Sequence, residues 1–459
     1  MSTTIQASIF RAYDIRGVVG DTLNKHVATL IGRAIAAENL ARGETSIAVA
    51  RDGRLSGPDM LDALIAGLRA GGCDVVNVGQ VPTPVLYFAA STLPGVTSGV
   101  MVTGSHNPPD YNGFKIMLAG ETLSGDAITD LYRRIVENDL SEGSGSLVEK
   151  DVSEAYLARI VSDITLKRPM KVVVDTGNGV AGELAPKLMK QLGCEVVPLF
   201  TDIDGNFPNH HPDPGDPANM QDLIRVVAET TADLGLGFDG DGDRVGVITP
   251  QGELIYPDRL MMAYAQDVLS RIPGGRVIFD VKCSGNLAKV INKHGGEAEM
   301  WQTGHSLIKA RMKETGAPLA GEMSGHIFFA ERWYGFDDGL YAAARLLEIL
   351  AQQPMDADEF FAQYPQDPST PEINIEVSDE KKFKVVERLI AEGEFGEGKR
   401  TTIDGLRVDY EDGWGLCRVS NTSPKLVTRY EGKTEAALQR IQELFEQNIE
   451  RVLAQEVSD

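Results

Sequence analysis

The sequence contains only four cysteines, and Cys73, Cys194, Cys283 and Cys417 stand far apart with no C-x-x-C pair among them. Zinc ribbons and thiol redox motifs are therefore excluded, and a reducing compartment fits best. Also missing is any run approaching the ~18 apolar residues of a membrane helix. The opening stretch MSTTIQASIFRAYDIRG has neither a basic start with an apolar run nor a small-residue cleavage site. No secretory signal is expected, and a cytoplasmic location is. Basic residues are scarce as well: 44 lysines and arginines face 67 aspartates and glutamates, a net charge of −23. Such a chain repels nucleic-acid phosphates and anionic headgroups, which argues against DNA, RNA and membranes as partners. No Walker A sequence occurs, so ordinary nucleotide-triphosphate cradling is unsupported.

What is present is globular. Apolar residues make up 42% of the chain and charged residues 24%, which sets disorder aside. At about 100–200 residues per domain the length corresponds to three or four domains. An internal repeat organises them. Segments 46–79, 171–200 and 275–304 each open with a β-branched run ending at an aspartate: Asp52, Asp175 or Asp280. A glycine-containing turn, apolar residues at helical spacing, a glycine and a second apolar run follow, which reads as strand, helix, strand. Such units imply right-handed parallel crossovers in mixed sheets. Each is followed by a further helical segment and a short apolar strand that runs into a polar loop. The endings are GVMVTGSHNP (99–108), LGLGFDGDGD (234–243) and APLAGEMSGH (317–326). Ligands of open α/β sheets bind at the carboxyl ends of strands, so three loops at matching positions predict one cleft built from three domains.

The chain after the proline-rich PQDPSTPE (365–372) lacks the repeat; strand-like runs at 402–410 and 414–419 and two helical patterns read as α+β. The expected fold is α/β, with three similar domains of mixed, mostly parallel sheets plus a smaller C-terminal α+β domain around a central cleft. The boundaries are expected at 1–150, 151–252, 253–367 and 368–459. Cys73 and Cys194 read as small buried strand residues, Met261-Met262 and Leu346-Leu347 as helix core, and His210-His211 as part of a connecting strap.

Four loops carry chemistry-bearing residues. In Thr103-Gly104-Ser105-His106-Asn107-Pro108 a serine hydroxyl follows a buried strand, held between a glycine and a histidine. Alone, this hexamer is also compatible with a turn. In Asp239-Gly240-Asp241-Gly242-Asp243-Arg244, alternate carboxylates can aim several oxygens at a hard cation. An EF-hand is excluded because Arg244 stands at the glycine position and Pro250 at that of the bidentate glutamate. Mg²⁺ fits better, and Arg244 favours a phosphate nearby. Gly235 to Gly240 matches G-x-G-x-x-G, but the following RVGVIT reads as a strand where a dinucleotide fingerprint needs a helix. In Gly321-Glu322-Met323-Ser324-Gly325-His326, a carboxylate and a hydroxyl two residues apart suit the adjacent hydroxyls of a sugar. Finally, Arg418-Val419-Ser420-Asn421-Thr422-Ser423-Pro424-Lys425 has the donor density of a metal-free phosphate site.

In this order, the four loops resemble those of the α-D-phosphohexomutase superfamily, and the pairing of TGSHNP with GEMSGH is similar to its bacterial phosphomannomutase/phosphoglucomutase branch. Tyr13-Asp14-Ile15-Arg16-Gly17, Asn112-Gly113-Phe114-Lys115, Asp280 to Gly285 and Gly304-His305 extend the match over essentially the whole chain. The resemblance implies four domains around a cleft, with Ser105 as a phosphoserine and Asp239, Asp241 and Asp243 holding Mg²⁺ together with it. It places Arg16, Lys115 and Arg244 around the transferring phosphoryl group, where positive charge stabilises the transition state. Glu322 and Ser324 would hold ring hydroxyls, and Arg418, Ser420, Asn421 and Thr422 the phosphate not being transferred. Tyr13, Lys282, Gly304 and His326 would line the substrate site, with His305 as general base or sugar contact. Implied with these are hexose phosphates as small-molecule substrates, glucose 1,6-bisphosphate as intermediate and activator, and a monomer. Phosphoglucosamine mutase and a serine-based, metal-dependent sugar phosphatase are the competing readings. The acidity must then be a surface average, with Arg16, Lys115, Arg244, Lys282 and Arg418 gathered in one cleft.

Overall fold

The computed structural model describes residues 5–420 and 423–456. Each repeat builds the same four-stranded motif. Its central strand is the β-branched run, Ser46–Arg51, Lys171–Asp175 or Arg276–Asp280. Those strands are nearly continuous apolar runs because both faces of each sheet are covered. On one side they pair in parallel with the strand that closes the repeat, Asp74–Gln80, Glu195–Leu199 or Glu297–Trp301. On the other they pair in parallel with Gly99–Val102, Leu234–Phe238 or Leu319–Gly321. These last strands turn back into the antiparallel partners Tyr111–Leu118, Val245–Ile248 and Ile327–Phe329. All three polar loops occupy that reversal, so they leave the same corner of three equivalent sheets. The first sheet adds Ile15–Val18, Glu121–Thr122 and Leu147–Glu149, and the second Leu254–Ile255.

The fourth unit is antiparallel throughout, in the order Ile373–Glu376, Lys425–Gly432, Gly413–Val419, Leu406–Tyr410, Lys399–Thr401. Of the run expected at 402–410 only Leu406–Tyr410 is strand; a bend ending at Gly405, in the left-handed region, separates it from Lys399–Thr401. Helices Asp379–Glu392 and Glu435–Glu456 pack on this sheet through Val385, Leu389, Ile441 and Phe445.

The three α/β units share one apolar core, to which Ala48 and Val85, Val174 and Leu236, and Met261 and Leu340 all belong. Helix Gly339–Ala351 is buried along its whole length, which explains a sequence that is apolar all round. Its one guanidinium, Arg345, is matched by Asp267 at 3.0 Å and Glu331 at 2.8 Å. Met262, Leu346 and Leu347 are in the same core. Cys73 and Cys194 are buried but stand one residue before their strands, in the turns that follow Gly72 and Gly193. A shared core fixes the three sheets relative to one another and so sets the distances between their loops. No helix among the described residues is long and apolar enough to cross a membrane.

Candidate active site

The loops converge on one cleft of ≈ 670 Å³ lined by all four units. Tyr13, Arg16, Ser105 and Lys115 come from the first, Arg244 from the second, and Lys282, Gly304, His305, Glu322, Ser324 and His326 from the third. Arg418 and Ser420 close it from the fourth. Asn421 and Thr422 lie outside the described residues.

Ser105 is buried and adopts a φ of +49°. Its Oγ lies 3.3 Å from Asp239 Oδ2 and 3.2 Å from His106 Nδ1. The two loops touch at Gly240, where a Cβ would come within 2.4 Å of the Ser105 carbonyl. Asp239, Asp241 and Asp243 are fully buried and present oxygens within 4.8 Å of one another. Burial, then the charge of Asp243, pushes the Asp239 carboxyl up to about 8. Against the same burial, Lys115 and Thr83 hold Asp241 well below the usual carboxylate range. Oδ1 of Asp241 and of Asp243 has no hydrogen-bond partner among the described residues. Buried carboxylates that raise one another's affinity for protons, with oxygens left over, form a site short of positive charge. Hard oxygen donors of this kind suit a divalent cation such as Mg²⁺, and the cluster is able to hold a metal.

Lys115 lines the cleft together with Ser105, Arg16 and Arg244. Its ammonium lies 2.7 Å from Asp241 and 2.5 Å from Asp243, supplying the countercharge those two carboxylates require. Burial opposes that charge, but the two aspartates hold the ammonium well above its ordinary range. Arg244 donates through Nε to Asp239 at 3.0 Å and through Nη1 to Asp213 at 3.2 Å, and its buried Nη2 has no hydrogen-bond partner among the described residues. Arg16 pairs with Asp14 and donates to Asn107 Oδ1 at 2.8 Å.

The third unit's loop is also internally tied. Glu322 accepts from the Gly304 amide through Oε1 at 2.5 Å and from Ser324 Oγ through Oε2 at 3.2 Å. Tyr13 reaches across from the first unit to donate to the Thr303 carbonyl at 2.6 Å. His305 and His326 stack with centroids 5.6 Å apart, yet their environments pull them in opposite directions. Burial and then Lys309 hold His305 well below its ordinary range, which keeps the imidazole neutral. For His326, Asp243 and Asp337 outweigh burial and raise it; Asp337 Oδ2 lies 3.0 Å from its Nδ1. On the far side, Lys282 pairs with Glu372 at 2.7 Å and Arg418 with Asp404 at 2.9 Å. Asp404 also accepts from the Thr303 amide at 2.9 Å, linking the fourth unit to the third. The five cations do gather in one cleft, each with an acidic escort.

Four family models match in order along the chain. They are phosphoglucomutase/phosphomannomutase alpha/beta/alpha domain I at residues 7–142, domain II at 154–252, domain III at 256–367 and the C-terminal domain at 372–447. The phosphomannomutase/phosphoglucomutase of Pseudomonas aeruginosa is 60% identical over 449 residues, 98% of this chain and 97% of that protein. The chain belongs to the phosphoglucomutase/phosphomannomutase family, within the α-D-phosphohexomutase superfamily. The phosphoglucomutase of Neisseria meningitidis is 56% identical over 451 residues, covering 97% of each chain. The crystal structure of a phosphoglucomutase/phosphomannomutase family protein from Burkholderia thailandensis superposes with a TM-score of 0.93 at 55% identity, covering 98% of both chains.

In this family member several residues that pair with the site's side chains carry no local sequence signal. Asp337 beside His326, Thr83 on Asp241, Glu372 on Lys282 and Asp404 on Arg418 come from segments remote from the loops they serve. Asp213 belongs to the strap expected to be only a connector; His210 anchors that strap on Asp175 at 3.0 Å, and residues 213–217 line the cleft. The repeat's strand-end aspartates held a usable signal. Asp52 accepts from the Gly104 amide at 3.2 Å and Asp280 from the Met323 amide at 3.2 Å, each fastening the loop of the neighbouring strand.

Proposed function

We propose that the chain interconverts hexose 1-phosphates and hexose 6-phosphates, of mannose and of glucose, with Ser105 as phosphoryl carrier. The observation that carries this reading is that two separate groups of cationic side chains line one cleft, each suited to a phosphate. On one wall Ser105 lies 3.3 Å from the acidic cluster and beside Arg244 and Arg16. On the other lie Arg418, Ser420 and Lys282, with no acidic cluster able to hold a metal among the described residues. Hydrolysis of one phosphate needs only the first wall; a mutase needs both, because each end of the sugar takes each place in turn. The dual names of the Pseudomonas relative support both sugars.

Asp239, Asp241 and Asp243 would hold Mg²⁺ with a phosphoserine oxygen, and the bound ion supplies positive charge to the transferring group. Arg244 Nη2 and Arg16 add to that charge from the chain itself. The free sugar hydroxyl attacks the phosphorus of phosphoserine 105, its proton passing to a base for which neutral His305 is suited. The bond from phosphorus to Ser105 Oγ breaks, giving glucose or mannose 1,6-bisphosphate. Glu322 and Ser324 hold ring hydroxyls while Arg418, Ser420, Asn421 and Thr422 hold the distal phosphate. After the intermediate turns end for end, Ser105 takes the other phosphate back, so added glucose 1,6-bisphosphate acts as activator. We further propose a cytoplasmic monomer of four units, 1–150, 151–252, 253–367 and 368–459, with no nucleic-acid or membrane partner. Parallel assays of isomer formation and phosphate release on glucose, mannose and glucosamine phosphates test the reading. Isomer product without phosphate release is expected; rapid release without isomer product overturns it.

A further inference from the structure

A serine at a φ of +49° is held there by its surroundings, since L side chains rarely adopt this conformation. At Ser105 the surroundings are dominated by one buried guanidinium. Arg54, in the turn between Ser46–Arg51 and helix Gly57–Ala70, is 1% exposed and does not line the cleft. Its Nη2 donates to the carbonyls of Ser105 at 2.9 Å and Asn107 at 2.6 Å. Its Nη1 donates to the carbonyls of Tyr111 at 3.0 Å and of Pro108. Its Nε lies 3.3 Å from Asp52 Oδ2, and that oxygen accepts from Thr103 Oγ1 at 2.8 Å and from the Gly104 amide. Thr103 Oγ1 in turn accepts the Ser105 amide at 2.8 Å. One ion pair thus fastens amides and carbonyls of the serine loop from Thr103 to Tyr111.

The chemistry favours arginine specifically. A planar fork of five N–H donors can serve four carbonyls held in fixed directions, whereas a lysine ammonium offers one centre. The fit leaves no room at Gly104, where a Cβ would lie 2.3 Å from Arg54 Cζ. From behind, the Phe207 ring of the second unit sits 5.3 Å from the guanidinium.

We propose that Arg54 is a positioning residue for phosphoryl transfer, holding Ser105 in its left-handed conformation so that Oγ faces Asp239 both before and after it gives up the phosphoryl group. The proposal rests on Ser105 as phosphoryl carrier. Both half-reactions then need the same loop shape, while the sugar and distal-phosphate contacts do not depend on it. Arg54→Lys and Gly104→Ala, which presses on the same contact from the other side, test this in the full chain. Steady-state kinetics on glucose 1-phosphate are combined with thermal melting and with intact mass after incubation with glucose 1,6-bisphosphate. Each variant is expected to lose about 100-fold in kcat, with KM within about threefold of the parent and a folded chain that phosphorylates slowly. Added guanidinium ion should restore part of the activity of Arg54→Ala. If Arg54→Lys does not fold, Gly104→Ala decides on the same criteria. A kcat within about threefold of the parent, or a loss matched by the unfolded fraction or by KM alone, overturns the proposal. Ser105→Ala is the control: activity retained there removes the carrier reading itself, whereas an inactive Ser105→Ala beside a fully active Arg54→Lys removes only the role of Arg54.

Discussion

Replacing Lys115 with methionine asks whether this lysine is the built-in counter-ion of the acidic cluster. Its ammonium lies 2.7 Å from Asp241 and 2.5 Å from Asp243, with both carboxylates fully buried. Arg244 serves Asp239, so among the described residues the substitution leaves Asp241 with no ion-pair partner and Asp243 with only His326 at 3.6 Å. Methionine keeps most of the side chain's volume, so the loss is one of charge. Removing one partner of a buried pair costs about 3–5 kcal/mol. At about 2 °C per kcal/mol, the low end for large domains, melting in EDTA should fall by roughly 6–10 °C. Mg²⁺ must compete with the ammonium in the parent but not in the variant. A metal concentration of about 100 times the dissociation constant returns about 2.7 kcal/mol, so Mg²⁺ should raise the melting temperature of the variant more than that of the parent. Differential scanning calorimetry of both chains, in EDTA and in millimolar Mg²⁺, measures this. Two results would refute the reasoning: equal melting in EDTA, or an identical Mg²⁺ shift in both chains. Mutase activity should stay low in the variant even where metal restores stability.

Three further outcomes are expected. Ser105→Ala should fall below about a thousandth of the parent rate, and the mass of one phosphate seen on the parent should be absent from the variant. If Arg418 holds the distal phosphate as proposed, Arg418→Ala removes a charge-assisted contact of about 1.5–3 kcal/mol, so KM should rise about 10- to 100-fold; an equal loss in kcat with KM unchanged contradicts that role. Asp338→Asn concerns pH. Burial pushes the Asp338 carboxyl up to about 7 from its ordinary 3.8, so the folded chain keeps a proton that the unfolded chain releases. Its contribution is full below pH 4 and fades as pH rises to 7, at about 1.4 kcal/mol per pH unit at most. Asparagine can still cap the helix at the Tyr341 amide and accept from Tyr156, as Asp338 does. The variant should therefore melt higher than the parent at pH 8 and show a flatter slope between pH 5 and 8; parallel melting curves across that range contradict the assignment.

Much of this architecture was legible because the repeat sets topology. A β-branched strand, a helix and a second strand admit few arrangements, and the loop after the third strand must then fall at one corner of each sheet. The cleft-lining residues of those loops were legible for the same reason. What the loops lean on was not. Asp337, Glu372 and Asp404 come from segments whose local sequence looks like any polar turn, and only packing brings them to His326, Lys282 and Arg418. The contacts of Lys115 were not legible either: its strand pairs with Gly99–Val102 in a register that sets its ammonium on Asp241 and Asp243. Arg54 carries no sequence signal at all: its neighbour Leu55 is exposed, while its own side chain turns inward.

The acidic escorts of the cleft cations bear on how a sugar bisphosphate can turn without escaping. On the proposed function, a phosphate arriving at Lys282 or Arg418 would not meet a bare cation; it would displace Glu372 or Asp404, one anion for another. Each such exchange would yield less than the capture of an unpaired cation, which keeps any single contact to a few kcal/mol. The cleft would then act as a set of interchangeable handholds. Its grip would be spread over several moderate contacts, strong enough together to retain a ligand with two phosphates and weak enough singly to release either end.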